Sequence, residues 1–278
     1  MNTRLTDEYI KAMLPARAPD GNKGTFGKVL LICGSKNMRG AAALATLGAL
    51  RCGAGLVTLA STAEVIDTLS SNIFEAIWLD REKDDCHTVA KKATAIGFGC
   101  GVGCDNTISS LLFDLLLDNT DTPLVIDADG INILANNTRL LGRATRPIIL
   151  TPHPLEFSRL TGLSVNAIQA DRENVAQNFA KNYGVTLLLK GKNTVITDGE
   201  DVLVNPTGSS ALAKGGSGDV LTGMICAFSA QGAAPINAAA IAAYCHGKAG
   251  ERLAEIYSEY GVLASELPSE AAKFLTTL

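Results

Sequence analysis

Aromatic residues are scarce in this sequence: they make up 5% of its 278 residues and include one tryptophan. An excess of positive charge is also lacking, because 24 lysines and arginines stand against 28 aspartates and glutamates, giving a formal net charge of −4. Proteins that bind nucleic acid normally carry a basic surface. The composition therefore argues against a nucleic-acid partner, and any polyanion must be bound locally by backbone amides and a few lysines.

Long apolar runs and paired cysteines are lacking as well. No apolar run reaches the roughly 20 residues that a membrane-spanning helix needs, and the amino terminus has no apolar segment followed by a small-residue cleavage site. The seven cysteines are scattered, and the closest pair, Cys100 and Cys104, has no second pair or nearby histidine to complete a zinc site. We therefore expect a cytoplasmic protein without a membrane partner, whose thiols are reduced and mostly buried.

Short β-branched and leucine-rich runs alternate with helical patterns from Lys28 onward, and 47% of the residues are hydrophobic. This alternation predicts an α/β fold with a mostly parallel sheet and helices on both faces. The predicted strands are 28–33, 55–60, 94–98, 123–128, 147–152 and 186–190. The predicted helices are 40–51, 62–71, 107–118, 154–161, 165–182, 219–230, 237–256 and 268–276. No linker or repeat interrupts the chain, so we predict one domain, residues 1–278.

Residues 194–205 depart from this pattern, because two short strands joined by Asp198 and Gly199 predict an antiparallel hairpin. Ligand sites of open parallel sheets form beyond the carboxyl ends of the strands. Five loops at those ends combine glycine or proline with aspartate, histidine, asparagine or lysine: GSKNMRGAA, GCGVGCDN, DGIN, HPLEF and GKNT. We expect these loops to form one continuous cleft.

Residues 205–223, NPTGSSALAKGGSGDVLTG, hold five glycines around the single acid Asp219. Glycine permits positive φ and close approach of a ligand to the backbone. The apolar run that follows predicts a helix, whose first turn has free N–H groups and a positive dipole end. An anion hole suited to phosphate is therefore predicted at Gly215, Gly216, Ser217 and Gly218. Asp219 would handle a proton beside a transferring phosphoryl group there; the alternative is that it caps the helix.

Two familiar nucleotide-binding motifs are absent. The P-loop pattern G-x-x-x-x-G-K-[ST] does not occur, because Gly27 and Lys28 are followed by Val29 and position 22 is not glycine. The segment GFGCGVG at 97–103 fails the dinucleotide pattern G-x-G-x-x-G, because Val102 stands at the third glycine position. A P-loop protein or a Rossmann dehydrogenase is therefore disfavoured.

Six segments stand in order across residues 22–255: KGTFGKVLLICGSKNMRGAAALATLGALRCGAGLVTLA, IGFGCGVG, VIDADGINIL, LTPHPLEF, LLLKGKNTVITDG and NPTGSSALAKGGSGDVLTGMICAF. Together they resemble the ADP/ATP-dependent NAD(P)H-hydrate dehydratases of the ribokinase-like superfamily. Asn22 departs from the usual histidine, and Leu155 replaces the glycine of His-Pro-Gly-Glu, which would narrow the pocket slightly. The resemblance implies a ribokinase-like three-layer α/β/α fold, with the antiparallel hairpin near the nucleotide site, and a stand-alone form without a fused epimerase domain.

The resemblance also implies a reaction. The substrate would be the S epimer of NADHX or NADPHX, a reduced nicotinamide nucleotide hydrated on its ring. ADP or ATP, with Mg²⁺, would phosphorylate the ring hydroxyl, because phosphate leaves more easily than hydroxide, and elimination would restore NADH or NADPH. Asp219 would take the hydroxyl proton, and the amides of residues 215–218 would stabilise the charge on the phosphoryl group.

The family's site residues transfer to matching positions of this chain. Those implied for NAD(P)HX are Ala41, Gly103, His153 and Asp219, and those implied for ADP or ATP are Lys190, Gly191, Lys192, Asn193, Thr194 and Gly218. The lysines could instead be ordinary exposed strand ends. Asp127 and Asp129 either hold Mg²⁺ or bond loop amides and cap the next helix, and His246 is predicted to be a packing or helix-end residue.

Two other functions stay open. A vitamin-precursor kinase of the same superfamily shares the glycine-rich aspartate element but releases a phosphorylated product, and KGTFGKVLLICGS followed by MRGAA favours the dehydratase. A nucleotide sensor would use the same site without turnover. The family further implies a homo-oligomer, a tetramer, and functional pairing with a separate NAD(P)HX epimerase. No residue distinguishes ADP from ATP or NADHX from NADPHX.

Overall fold

The protein, described here by a computed structural model over residues 2–118 and 120–278, is organised around one sheet. The strands in these residues are β1 (Thr3–Arg4), β2 (Lys28–Ile32), β3 (Leu56–Ser61), β4 (Ala76–Asp80), β5 (Ala95–Phe98), β6 (Leu124–Ile126), β7 (Ile148–Leu150), β8 (Thr186–Leu189), β9 (Thr194–Thr197) and β10 (Val202–Asn205). The helices are α1 (Asp7–Met13), α2 (Arg39–Arg51), α3 (Ala63–Leu69), α4 (Cys86–Ala90), α5 (Asn106–Leu117), α6 (Asp129–Ala135), α7 (Pro154–Thr161), α8 (Val165–Ala170), α9 (Arg172–Tyr183), α10 (Ser217–Ala230), α11 (Pro235–Gly261) and α12 (Leu267–Leu275).

The strands lie in the order β1-β10-β9-β8-β7-β6-β5-β2-β3-β4. Every neighbouring pair from β8 to β4 is parallel, whereas β9 is antiparallel to both β8 and β10. The predicted mostly parallel sheet with an antiparallel hairpin is therefore confirmed. The chain winds outward from β2 in both directions, so the strand order reverses between β2 and β5. Such a reversal opens a crevice between the loops that follow the two strands.

Successive strand residues enter two separate apolar cores, one on each face of the sheet. Leu31 of β2 packs in a core with α2, α10, α11 and α12. Its neighbours Leu30 and Ile32 pack in a second core with α5, α6, α7 and α9. Parallel strands that are buried on both faces need helices on both sides. The predicted three-layer α/β/α arrangement is confirmed.

Helices α2 and α10 approach each other closely because glycine lies at their contact. A Cβ placed on Gly223 would lie 1.9 Å from the carbonyl oxygen of Ala45, and one placed on Gly48 would lie 2.4 Å from that of Val220. Neither position accepts a side chain. The contact fixes the start of α10, where Asp219 lies, relative to the helix that follows β2.

Helix α8 ends earlier than the sequence pattern predicts. Asp171 adopts φ −148° and ψ 56°, outside the helical region, so the predicted helix 165–182 is two helices. Helix α11 is longer than the predicted 237–256 and contains the non-helical Ser258, with φ 62°. The elements β1, β4, α1 and α4 were not predicted from the sequence, and α6 was expected only as a helix following Asp129. The edge strand β4, Ala-Ile-Trp-Leu-Asp, runs directly into a charged segment, which hides its strand character.

The cysteines agree with the expectation that most of the thiols are buried. Six of the seven cysteines are buried and Cys104 is exposed, and all seven are free thiols. In the part of the chain that the structure covers, no helix is both long and apolar enough to cross a membrane.

Candidate active site

A cavity of about 950 Å³ opens at the carboxyl edge of the sheet, beyond β7 and β8. Its walls come from the loops after those strands, the end of the hairpin, the start of α10 and the middle of α11. This volume lies in the range of ligand pockets in proteins. The lining includes every residue predicted to bind the nucleotide, together with one predicted substrate residue: Lys190, Gly191, Lys192, Asn193, Thr194, Gly218 and His153.

The start of α10 offers backbone N–H groups to this cavity. Gly216 is the N-cap, with φ 93°, and no side chain caps the helix. The N–H of Ser217 points to the carbonyl of Lys214 at 3.4 Å. Those of Gly218 and Asp219 have no acceptor within residues 2–118 and 120–278. Free amides at a positive helix end are suited to binding an anion, and the anion hole at residues 215–218 stays a prediction.

The three glycines of this turn are needed for different reasons. Gly216 has positive φ, and a Cβ there would lie 2.4 Å from Leu44 Cδ1. A Cβ on Gly218 would lie 3.1 Å from Lys190 Nζ, whereas one on Gly215 would meet nothing within 4 Å. Only Gly216 is therefore required by the fold itself. Gly218 keeps space free beside the lysine.

Asp219 lies in the first turn of α10 and does not cap it, because the cap position belongs to Gly216. Burial, followed by the charge of Asp127, raises the pKa of Asp219 to about 6, against the opposing influence of the Cys100 thiol and of Lys190. These neighbours come from the loops after β5, β6 and β8. Asp219 is not among the residues that line the cavity, but its neighbour Gly218 is, and the Cys100 thiol of the glycine loop 99–103 is close enough to affect its pKa. A carboxylate with this pKa can accept a proton near neutral pH.

Lys190 and Asp127 form a buried ion pair beside Asp219. Lys190 Nζ donates to Asp127 Oδ1 at 2.6 Å, and the two side chains are 21% and 2% exposed. Thr222 Oγ1 of α10 donates to the other carboxylate oxygen at 2.7 Å. Burial alone would lower the pKa of Lys190, but the charges of Asp127 and Glu156 raise it above its usual value. The ammonium therefore stays charged. The prediction that Lys190 could be an exposed strand end is wrong.

His153 is held at the N-cap of α7 with its ring partly open to the cavity. Its Nδ1 accepts the N–H groups of Leu155 and Glu156 at 3.1 and 3.2 Å, and Glu156 Oε2 accepts the N–H of His153 at 2.9 Å. Since Nδ1 is an acceptor, the proton of the neutral ring is on Nε2. The side chain of Leu155 is 50% exposed and does not line the cavity, so it does not narrow it.

Ala41 and Gly103 lie apart from this cavity, around the crevice between β2 and β5. Ala41 is in the first turn of α2 and faces the glycine loop, because a Cβ on Gly101 would lie 3.1 Å from its Cβ. Gly103 has φ 87°, and its N–H donates to Asp129 Oδ2 at 2.9 Å. Asp129 therefore supports the glycine loop. It begins α6 rather than capping it, since the N-cap is Ala128.

Two residues that were not predicted to belong to a site lie at the cavity: Arg172 supports its wall, and His246 lines it. Arg172 donates to the carbonyls of Leu189 and Lys190 at 2.8 and 3.2 Å and packs under Gly191. His246, predicted to be a packing residue, is buried but also lines the cavity, with Nε2 3.2 Å from Ser217 Oγ. Burial lowers the pKa of His246 to about 4, so its ring is neutral at physiological pH. The role of His246 could have been suspected from the adjacent Gly247, a glycine inside a helix, which lies against Thr207.

Comparison with known protein sequences identifies the family of this chain. The profile of the NAD(P)H-hydrate dehydratases matches residues 29–273. The chain is 38% identical over 266 residues to the ADP-dependent (S)-NAD(P)H-hydrate dehydratase of Bacillus subtilis, covering 94% of each protein. It is 37% identical over 276 residues to the bifunctional NAD(P)H-hydrate repair enzyme of Moorella thermoacetica, covering 95% of this chain and 52% of that protein. The chain thus spans about half the length of the bifunctional relatives and nearly all of the Bacillus relative.

Solved structures agree with the sequences. The crystal structure of the ADP/ATP-dependent NAD(P)H-hydrate dehydratase from Bacillus subtilis, co-crystallized with ATP and Mg²⁺, superposes with a TM-score of 0.87 at 33% identity over 99% of this chain and 98% of that one. A ribokinase-like superfamily protein from Enterococcus faecalis gives 0.89 at 27% identity, over 99% and 96%. A hydroxyethylthiazole kinase from Pyrococcus horikoshii, at 0.64 and 16% identity, shares the fold alone. The chain belongs to the NAD(P)H-hydrate dehydratase family and has its ribokinase-like fold.

Proposed function

We propose that this protein catalyses the ADP- or ATP-dependent dehydration of the S epimer of NADHX or NADPHX to NADH or NADPH. The observation that carries the proposal is the position of Asp219. Its carboxyl, with a pKa of about 6, follows Gly218 of the cavity lining and has Lys190 and the Cys100 thiol of the glycine loop among the groups that act on its pKa. One proton acceptor would thus stand between a site for phosphates and a second site for another ligand.

Two steps complete the reaction. The ring hydroxyl oxygen attacks the terminal phosphorus of the nucleotide, its proton passes to Asp219, and the shortened nucleotide leaves with the P–O bond electrons. The ring nitrogen then donates electrons as the C–O bond breaks and inorganic phosphate departs with that electron pair. Loss of a proton from the neighbouring ring carbon restores the dihydronicotinamide. Phosphorylation is useful because phosphate is a better leaving group than hydroxide.

The residues around the phosphates would act by position and charge. Backbone amides at residues 215–218 and the start of α10 would hold the oxygens of the transferring group, and the charged Lys190 would offset their charge. Lys192, in the same lining, would meet the phosphates that stay behind. Ala41, Gly103 and His153 would contact the NAD(P)HX molecule, and the first-turn amides of α2 would suit its pyrophosphate.

Mg²⁺ is the ion present with ATP in the Bacillus crystal. In the described part of this chain no group of three or more histidines, cysteines or carboxylates could hold a metal. This fits an ion that arrives on the nucleotide and keeps several of its waters. Glu156 would hold it directly or through water, because Glu156 lies beside His153 of the cavity lining, with Oε1 3.3 Å from His153 Nε2 and Oε2 accepting the His153 N–H at 2.9 Å. The ion would neutralise phosphate charge.

The alternatives are less well supported. The similarity to the hydroxyethylthiazole kinase is a similarity of fold alone. A sensor would not need a proton acceptor with a raised pKa beside the phosphate site. The homotetramer, the pairing with a separate epimerase and the cytoplasmic location stay predictions. So does the assignment of the single domain.

Recovery of dihydronicotinamide absorbance tests the proposal directly. Purified S-NADHX, which lacks that absorbance, would be incubated with the protein, Mg²⁺ and either ADP or ATP. We expect recovery with at least one nucleotide and none without nucleotide. A phosphorylated product that accumulates without recovery would favour the kinase, and nucleotide binding without any turnover would favour the sensor.

A further inference from the structure

Asp127 has no task in the reaction steps above, although it is only 1% exposed and lies at the end of β6. Each of its carboxylate oxygens accepts a hydrogen bond from a different element. Lys190, after β8, donates to Oδ1 at 2.6 Å, and Thr222, in α10, donates to Oδ2 at 2.7 Å. One carboxylate therefore joins three elements of the sheet edge.

The partners of Asp127 lie where the terminal phosphate would bind. A Cβ on Gly218 would lie 3.1 Å from Lys190 Nζ and 3.6 Å from Asp127 Oδ2, so the ammonium lies against the first turn of α10. Thr222 Oγ1 is also 3.2 Å from the carbonyl oxygen of Gly218, one turn earlier in the helix. The carboxylate thus fixes both the cation and the helix turn whose amides face the cavity.

We propose that Asp127 is a positioning residue, which holds the Lys190 ammonium and, through Thr222, the first turn of α10 in the arrangement that receives the terminal phosphate of the nucleotide. This inference rests on the proposed function, since it takes ADP or ATP as the ligand. The inference goes beyond the proposed function by assigning a role to an acid that does not line the cavity.

The direction in which ADP affinity changes when the charge of Asp127 is removed separates this role from its alternatives. A carboxylate near a phosphate site repels the phosphate. If Asp127 were only a neighbouring charge, its replacement by Asn would strengthen ADP binding. If Asp127 positions Lys190, the same replacement weakens ADP binding, because the lysine loses its strongest partner. If it only stabilises the fold, ADP binding stays unchanged.

Calorimetric titration of ADP into the wild-type protein and into Asp127→Asn at saturating Mg²⁺ tests the inference. Asn keeps the shape of Asp, so the variant is expected to fold, but it is uncharged and has one acceptor oxygen, so Lys190 and Thr222 cannot both donate to it as they do to Asp127. We expect about tenfold weaker ADP binding, the scale of one lost hydrogen bond to a charged group. Equal or tighter binding would overturn the inference.

A second pair of variants tests the link through the helix. Thr222 and Thr46 are both fully buried helix threonines whose hydroxyls lie near the carbonyl four residues earlier, at 3.2 Å for Thr222 and 2.7 Å for Thr46. Replacing either by Val removes one buried hydroxyl. We expect Thr222→Val to weaken ADP binding about threefold or more, and Thr46→Val to leave it unchanged. Equal effects of the two replacements on ADP binding would contradict the positioning role.

The pH profile and the metal requirement complete the test. Asp219 is faced by Asp127, Asp129, Lys190 and Cys100, and of these the Asp127 charge is the strongest that raises its pKa. In Asp127→Asn the acid limb of kcat/KM should therefore move to lower pH. Rescue of the variant by excess Mg²⁺ would instead identify Asp127 as a metal ligand and overturn the inference. A wild-type protein that binds ADP but restores no absorbance would remove the proposed function and leave this comparison valid.

Discussion

The amino edge of the sheet, where the parallel strands begin, and the carboxyl edge, where they end, both contain buried charged groups. The partners of these groups differ between the two edges. At the amino edge Arg146, 4% exposed, donates to the carbonyl of Thr122 at 2.9 and 2.7 Å and to that of Leu115 at 2.8 Å. At the carboxyl edge Lys190 pairs with the carboxylate of Asp127. Burial lowers the pKa of Arg146 to about 10, whereas acidic neighbours raise the pKa of Lys190.

The difference indicates which edge would receive a ligand. The guanidinium of Arg146 donates only to backbone carbonyls in these bonds, and carbonyls are uncharged partners inside the fold. Around Lys190 there are Asp127, Asp219 and Glu156, together with free amides of α10. Such a group of charges is costly to bury without compensation. We infer that the amino edge serves stability and the carboxyl edge serves binding and proton transfer, and the variants below test that division.

The largest effect is expected for Asp219→Asn. Loss of the proton acceptor should lower kcat by about 10²- to 10⁴-fold, while the neutral isostere keeps ADP affinity within about threefold. Steady-state kinetics and calorimetry measure the two quantities. In the wild-type protein kcat/KM should fall as pH drops through about 6, because the carboxylate becomes protonated there. Unchanged turnover in the variant would contradict the mechanism.

At the amino edge Arg146→Met should lower the free energy of unfolding by roughly 3 kcal/mol, because buried carbonyls lose their donors. Urea denaturation measures this loss. At a temperature where the variant is folded, kcat/KM should equal that of the wild-type protein. A lower kcat/KM in the folded variant would break the proposed division between the edges.

A smaller effect, on the pH dependence of stability, is expected for His246→Gln. The histidine protonates near its ordinary pKa in the unfolded chain and at about 4 in the folded protein. Between these values the unfolded state binds more protons, so this residue's contribution to stability is lost as pH falls, up to roughly 3 kcal/mol. Asp219, whose pKa is raised to about 6, acts in the opposite direction over most of this window.

Urea denaturation of the wild-type protein and of His246→Gln between pH 7 and pH 4 would separate the two contributions. The difference in unfolding free energy between them should change across this range. A constant difference would show that His246 is not the buried neutral group. The glutamine side chain can still form a hydrogen bond with Ser217, so the variant differs from the wild-type protein mainly in lacking the titratable ring.

The smallest effect concerns the glycines of the anion site. Gly218→Ala should raise KM for ADP about tenfold, because its Cβ would press on Lys190 Nζ at 3.1 Å. Gly215→Ala, in the same turn, meets nothing within 4 Å and should change KM little. Equal KM values for the two variants would show that the space beside Lys190 is unimportant.

The sequence predicted those parts of the fold and site that local patterns encode. The buried central strands, the hairpin and the glycine-rich start of α10 were predicted because composition and spacing report them directly. The pair between Lys190 and Asp127 was not, because the two residues are 63 positions apart and meet only through the order of β6, β7 and β8. The break at Asp171 was missed because helical residues continue on both sides.

The glycine contact between α2 and α10 has a consequence for the evolution of this protein. Backbone meets side-chain-free backbone at Gly48 and Gly223, so the spacing between Ala41, at one helix start, and Asp219, at the other, is set by main chain. Residues of the cavity wall can change during divergence without altering that spacing. Attempts to redesign ligand preference should therefore vary loops 99–103 and 190–194 and leave the helix contact untouched.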